Sequence, residues 1–339
     1  MLSLHSPASL TPWSLLWKAT HAVAVPDQII LRTDKERLDL ARENLAAVRA
    51  RNTHLAYEAD WNRWDRWCAS QGTCPLPAAP AALALYLSDA SETHRPGTLK
   101  RWTASISKRH QLAHLESPAT SPEVREMLAG ISKRKGNKRR HAQPILRNTL
   151  VAIATHLDPS NPRDQRDRAI LLLGWSIAAR ESELVALDLD NVHQVERGME
   201  VYIARSKTDQ TGEGRTVPVA YARALALCPV LAVRAWRQTL ETLAPPAGPL
   251  FRSLRCFQGQ WSAGERLAPR AIEDTIRRLA RRAGLEGFGG HSLRAGFATE
   301  GSKELPDREI MRVTGHKSRS TLDYYIDQGQ LWDHAPALL

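Results

Sequence analysis

Apolar positions recur at helical spacing along most of the chain, and the breaks between them fall at proline and glycine. Leu38, Leu40, Leu45 and Val48 amid alternating charges predict a helix over 29–51, with a coiled-coil segment as the alternative. Trp61, Trp64 and Trp67 fall at steps of three within a helix expected over 53–70. They fit a core stripe, or a platform on which nucleic-acid bases stack. After the break at Cys74-Pro-Leu-Pro, an Ala/Leu helix is expected over 78–90, another over 98–114 behind Pro96-Gly97, and a short one over 123–131 behind Pro118 and Pro122.

The second half opens with a helix over 147–156, stopped by Asp158-Pro159. The run 166–179 is strongly apolar and reads as the buried central helix of a domain, with Arg180-Glu-Ser-Glu183 at its end. An arginine there is costly to bury unless it meets an anion, so Arg180 should face a site or a carboxylate. Met199, Val201 and Ile203 alternate as a strand, 216–219 reads as its partner, and 209–214 turns between them. Lys207 lies where the first strand enters that turn, ordinarily a place for a solvated charge. Helices are expected over 222–227 and 230–242, irregular structure over 251–266, and a basic amphipathic helix over 271–283 carrying Arg277, Arg278, Arg281 and Arg282. Ser292 is expected to cap a helix over 293–299 that stops at Gly301. Pro306 opens another over 307–314, closed by Gly315, and Ser320-Thr-Leu-Asp323 starts a third that carries Tyr324 and Tyr325.

Length and charge narrow the class. A chain of 339 residues suggests two domains with an appendage, and a formal net charge of +11 with a pI near 9.8 points to a polyanionic partner. No window approaches the ~20 apolar residues of a membrane span. The first 25 residues lack a signal-peptide layout and read as a loose arm. Cys68, Cys74, Cys228 and Cys256 form no CxxC pair, so a reduced, cytoplasmic chain without structural zinc is expected. Residues 1–143 hold 21 Lys+Arg against 13 Asp+Glu, net +8, and 144–339 hold 26 against 23, net +3. Much of that excess lies in Lys133-Arg134-Lys135-Gly-Asn-Lys138-Arg139-Arg140, which reads as an extended linker, with a nuclear-localisation tract as the alternative. Lys100, Arg101, Lys108 and Arg109, together with Arg277 and Arg281, are further candidates for contacts to a DNA backbone, although a solvated face explains them equally.

The chemistry concentrates between Gly289 and Tyr325. His291-Ser-Leu-Arg294, Gly315-His316 and Tyr324-Tyr325 bring two imidazoles, one guanidinium and two phenols within 35 positions, with no cysteine pair and no carboxylate cluster. That set suits a phosphate, and a helix N-terminus at His291 would favour an anion further.

At these residues the chain resembles the tyrosine site-specific recombinases, or phage integrases, whose signature is H-x-x-R, a Gly-His pair, and a Tyr nine residues after that His. His291, Arg294, Gly315-His316 and Tyr325 match it, and the spacing selects Tyr325 over Tyr324. Upstream, Arg180 with Glu183 at +3 and Lys207 on a hairpin match two further family elements. Ala178-Ala179, where Gly and a larger apolar residue are usual, and Glu181 depart from the pattern. The resemblance implies a mainly α chain with a small β-sheet: a clamp of an all-helical core-binding domain and a mixed α/β catalytic domain. It sets out an arm over 1–30, a core-binding domain over 31–132, a linker over 133–143, a catalytic domain over 144–326 and a tail over 327–339 that docks on a neighbouring protomer.

It further implies that Tyr325 attacks the scissile phosphorus to give a 3′-phosphotyrosine and a free 5′-hydroxyl. Arg180 and Arg294 would grip the non-bridging oxygens, Glu183 would support them, Lys207 would protonate the leaving oxygen, His291 would assist proton transfer, and His316 would donate to the phosphate. No metal and no ATP are needed. The partner would be a double-stranded DNA recombination site, met by a homotetramer passing through a Holliday junction. A type IB topoisomerase-like nicking enzyme, a catalytically silent DNA-binding factor and a metal-dependent nuclease are the rival readings.

Overall fold

A computed structural model describes residues 51–136, 143–204, 214–316, 318, 319, 322, 323 and 325. The chain divides into two units, Met1–Arg139 and Arg140–Leu339. The arm, the helix expected over 29–51 up to its last residue, Lys138, Arg139, Arg140, Lys207, Tyr324 and the tail over 327–339 lie outside the described residues.

In the first unit α1 (Arg51–Gln71), α2 (Pro80–Ser91), α3 (Pro96–Leu112) and α4 (Pro122–Lys135) pack around Trp64, Leu83, Leu87, Leu99, Trp102 and Ile106. Pro80, Pro96 and Pro122 each open a helix where no intrahelical N–H bond is lost. The tryptophan stripe of α1 is core. Trp64 is fully buried, stacks on Trp67 at 5.5 Å and meets Tyr86 edge-on at 5.1 Å, and Tyr86 stacks on Trp102 at 5.6 Å. The indole N–H groups of Trp64 and Trp67 donate to the Pro75 carbonyl and to Asp89, each at 3.1 Å. Such ring pairs contribute about 0.5–1.5 kcal/mol each beyond area burial.

One expectation is corrected here. Lys133, Arg134 and Lys135 are the last turn of α4, not extended linker, and Gly136 at φ 71° ends the helix. Cations in a last turn complement the helix dipole, which favours continuing to Lys135.

The second unit is built on α6 (Pro162–Ser176), which follows α5 (Arg147–Ala154) and buries Ala169 through Leu173 completely. It starts earlier than hydrophobicity indicates because Asn161 caps it, accepting from the N–H of Arg163 at 2.9 Å and of Asp164 at 3.3 Å. It also ends earlier, at Ser176. Ala178 adopts φ 48°, and Arg180 becomes the first flank of a new helix, α7 (Glu181–Ala186).

Strands β1 (Val192–Val195), β2 (Gly198–Ile203) and β3 (Arg215–Ala220) form an antiparallel sheet in that order, with Val201 opposite Val217 and Ile203 opposite Arg215. Met199, Val201, Ile203, Val217 and Val219 point inward as their alternation requires. Then come α8 (Pro229–Leu243), β4 (Arg252–Phe257), β5 (Gln260–Arg266), α9 (Pro269–Arg282), α10 (His291–Gly301) and α11 (Asp307–Thr314).

Two stretches depart from expectation. Residues 251–266 are a hairpin with Gln258 and Gly259 both at positive φ, the two-residue turn that matches strand twist. Its faces are mostly exposed, so no apolar alternation announces it. Over 222–227 only a 3-10 turn, Leu225–Leu227, forms, and Leu225 is 73% exposed, with no face to bury.

Candidate active site

The site is assembled where α7, β3, α10, the end of α11 and the segment bearing Tyr325 meet. Gly290, not Ser292, flanks the start of α10; the Ser292 hydroxyl instead accepts from the N–H of Gly289 at 3.0 Å. A Cβ on Gly290 would lie 2.2 Å from a carboxylate oxygen of Glu181, so any larger residue here requires the Glu181 side chain to move. His291 is therefore the exposed first residue of α10, beside a groove also lined by Glu181, Glu273, Arg277 and Arg281. Burial, then the Glu273 charge, raise the Glu181 pKa against the pull of Arg277.

One turn further, Arg294 is 1% exposed. Its Nη1 donates to the Ala178 carbonyl at 3.0 Å and to the Thr314 carbonyl, while its buried Nη2 has no acceptor among the described residues. Burial, then the charge of Arg180, lower its pKa to about 9, opposed in part by Glu183. The left-handed conformation of Ala178 is what turns its carbonyl to Arg294, and it costs a non-glycine residue about 1–2 kcal/mol. The alanine departure from the family pattern thus falls where glycine is the less strained residue.

Arg180 sits at the flank of α7 and reaches Glu183 one turn on. Its Nη1 donates to Oε1 at 2.6 Å and its backbone N–H to Oε2 at 3.0 Å. Glu183 is 1% exposed. Burial pushes its carboxyl up, but the guanidinium of Arg215 and the N–H and charge of Arg180 outweigh this and hold it below the usual range. Arg215, which sequence reasoning passed over, donates from Nη2 to Oε2 at 3.0 Å. The sign was present: position 215 shares the inward face of Val217 and Val219, an unusual place for a charge.

Gly315 closes α11 at φ 67°, as glycine does most readily, and directs His316 back to the site. Burial, then the charges of Arg294 and Arg180, drive the His316 pKa down to about 3, so the ring is neutral near pH 7. Its Nδ1 lies 3.1 Å from the Thr314 hydroxyl, which gives its hydrogen to the Ile310 carbonyl at 2.7 Å. Tyr325 is buried with Ala178, Ala295, Phe297, Ile310 and Leu322. Its ring lies 6.2 Å from that of His316, with 12° between the planes.

The other basic candidates divide. Arg101 donates to buried Asp60 at 2.5 Å, and Arg109 grips both oxygens of Glu58, at 3.0 and 2.8 Å, with its guanidinium 5.1 Å from the centre of the Trp61 ring. Both are tied into the first unit, whereas Lys100 is exposed and Lys108 half-buried. Arg134 and Lys135 bond to Glu92 while Lys133 is exposed. On α9, Arg278 and Arg282 turn to Asp167 and Asp164, leaving Arg277, paired with Glu273, and exposed Arg281 on the groove beside His291. Among the described residues no group of His, Cys, Asp and Glu could hold a metal ion, and no helix is long and apolar enough to cross a membrane.

Residues 144–330 match the model of the phage integrase family. The chain is 33% identical over 306 residues to the integrase/recombinase xerD homolog of Selenomonas ruminantium, covering 88% of each. It is 33% identical over 182 residues to tyrosine recombinase XerC 1 of Ralstonia nicotianae, covering 52% of this chain and 53% of that protein. Among solved structures, XerH site-specific recombinase in a post-cleavage complex with palindromic difH substrate aligns at TM-score 0.61 and 17% identity, over 95% of each chain. Lambda integrase 75–356, as a dimer on a COC' core site, aligns at TM-score 0.60 and 18% identity, over 88% of this chain and 98% of that one. At such identities the likeness is one of fold.

Proposed function

The chain belongs to the phage integrase family and is a tyrosine recombinase acting in site-specific DNA recombination, and on that premise we propose which of its residues do the chemistry. The observation that carries the assignment is Arg294. It is a fully buried guanidinium with one nitrogen lacking an acceptor among the described residues, set beside Tyr325, His316 and Arg180. A phosphate oxygen is the acceptor this nitrogen fits, and buried donors are rarely left unpaired.

In this reading the Tyr325 hydroxyl attacks the scissile phosphorus. A Tyr O–P bond forms and the bond to the 5′-oxygen breaks, giving a 3′-phosphotyrosine. Arg180 and Arg294 neutralise the non-bridging oxygens, which carry more charge in the transition state than in the diester. Lys207 delivers a proton to the departing 5′-oxygen and His291 takes one from the tyrosine. His316, being neutral, contributes a hydrogen bond and no charge. For that role its proton must sit on Nε2, which Thr314 permits by turning its hydroxyl from the Ile310 carbonyl to Nδ1. Attack by a 5′-hydroxyl of a partner strand reverses each step, so the bond energy is conserved in the adduct and no ATP is consumed.

Lys100, Lys108, Lys133, Arg277 and Arg281 are proposed to contact the DNA backbone. Four protomers on two duplexes, joined through the 327–339 tail, and a cytoplasmic, nucleoid-associated location complete the reading. Incubation with a random-sequence duplex pool in EDTA should yield a protein–DNA adduct that Tyr325→Phe abolishes. An adduct that survives Tyr325→Phe would move the nucleophile to Tyr324, and one that requires added metal would remove the mechanism.

A further inference from the structure

Arg215 has no part in that chemistry, yet it occupies the centre of its framework. It is the first residue of β3, paired in register with Ile203, the last residue of β2. It therefore stands at the base of the hairpin whose connecting segment carries Lys207. From there it reaches across the fold to Glu183 on α7, 32 residues away in sequence. Its guanidinium also lies over the backbone of Gly315: a Cβ there would stand 3.2 Å from Nη1 and 3.4 Å from Cζ. One side chain thus touches the hairpin base, the carboxylate that holds Arg180, and the glycine that precedes His316.

The consequence lies in how Glu183 is shared. Left alone, an arginine and a carboxylate close into a two-pronged fork, in which two guanidinium nitrogens are used up. Here Arg180 reaches Glu183 with a single side-chain nitrogen, Nη1 on Oε1. The second oxygen, Oε2, is already taken by Arg215 Nη2 and by the backbone N–H of Arg180 itself. Occupying Oε2 keeps the fork from closing and leaves the rest of the Arg180 guanidinium for a phosphate. The electrostatics agree, since the Arg215 charge lowers the pKa of both Arg294 and His316.

We propose that Arg215 is a positioning residue for DNA cleavage: it holds Glu183 so that the Arg180 guanidinium meets it through a single nitrogen, and it ties the base of the Lys207 hairpin to that same carboxylate. The inference rests on the recombinase reading above. Arg215 bears on the reacting phosphate through Arg180 and, through the hairpin, Lys207.

The test uses the full-length chain and a duplex recovered from wild-type covalent adducts on the random-sequence pool. Adduct formation is followed in a single turnover at saturating duplex, and duplex affinity is measured separately by fluorescence anisotropy. Arg215→Gln should slow adduct formation by about tenfold to a hundredfold, the scale of a misplacement of about 1 Å, while the Kd changes by less than about twofold. Arg215→Lys keeps the charge without the fork geometry and should recover part of the rate. The double variant Arg215→Gln with Glu183→Gln should be no slower than the worse single variant, because without the carboxylate charge there is nothing for Arg180 to close upon. A wild-type rate in Arg215→Gln, or losses that multiply in the double variant, overturns the proposal. Should Arg215→Gln melt below the assay temperature, Arg215→Lys decides, a wild-type rate overturning the proposal and a loss of about tenfold supporting it. Absence of any wild-type adduct on the pool would instead sink the recombinase assignment of Tyr325, and this inference would fall with it.

Discussion

The rings of His316 and Tyr325 lie nearly parallel, 12° apart in plane and 6.2 Å between centroids, where the charges of Arg294, Arg180 and Arg215 act on the His316 imidazole. Tyr325 lies in one apolar cluster with Ala178, Ala295, Ile310 and Leu322, so Tyr325→Phe keeps the ring and its burial and removes the hydroxyl proposed as the nucleophile. The variant should melt within about 1 kcal/mol of wild type, as a volume-conserving change does, and bind DNA unchanged while forming no adduct. Denaturing electrophoresis and anisotropy on the same samples check it.

Arg294 supports the fold, beyond the phosphate contact proposed for it. Removing it as Arg294→Ala leaves the Ala178 and Thr314 carbonyls without that donor, at about 1–3 kcal/mol for each buried group left unsatisfied. Arg294→Lys should recover part of that stability but little of the cleavage rate, since an ammonium lacks the planar fork that holds a carbonyl and a phosphate oxygen in one fixed geometry. Equal recovery of both, read from urea melts and single-turnover rates, would contradict the dual role.

Acid should unfold the second unit through two groups whose windows overlap only below pH 4.5. The folded pKa of His316, about 3, lies below its ordinary 6.5. The unfolded chain therefore binds the extra proton first, and this stabilisation is complete above 6.5 and lost as pH falls toward 3. Glu183 is also held below its ordinary 4.5, so its contribution is present above that value and lost at lower pH. His316→Asn should flatten the melting curve between pH 6.5 and 3, and Glu183→Gln should flatten it only below 4.5. Thermal melts across that range separate them, and a His316→Asn profile parallel to wild type would refute the first.

Two neighbouring cations of α3 should behave differently. Arg101 compensates Asp60, which is 1% exposed and whose pKa burial raises in spite of that partner. Arg101→Ala should destabilise the chain by about 1–3 kcal/mol, the scale for a buried group losing its partner. Lys100→Ala should leave the melt within about 0.5 kcal/mol and lower DNA affinity with a shallower salt dependence.

Gly290→Ala should lower the melting midpoint by the cost of displacing Glu181, whose Oε1 and Cγ would stand 2.2 and 2.5 Å from the new Cβ. Glu181→Ala in the same chain should restore it. No rescue would mean that the crowding is not with Glu181.

The sequence by itself determined most of the elements and the set of residues proposed to react. The spacing of apolar residues and the placement of proline and glycine, as at Pro80, Pro96 and Gly315, depend on neighbours within one or two turns and can be read along the chain. His291, Arg294, His316 and Tyr325 were legible for the same reason, because a helix, a glycine stop and a fixed count carry them. Tertiary structure alone decided the partners. It turned Trp64 into the first core, gave Arg101 and Arg109 to Asp60 and Glu58, and sent Arg278 and Arg282 away from the groove that Arg277 and Arg281 line. It also set Arg215 on Glu183. These pairs span 32 to 118 positions, and an ion pair depends on distance through space, which no local periodicity encodes.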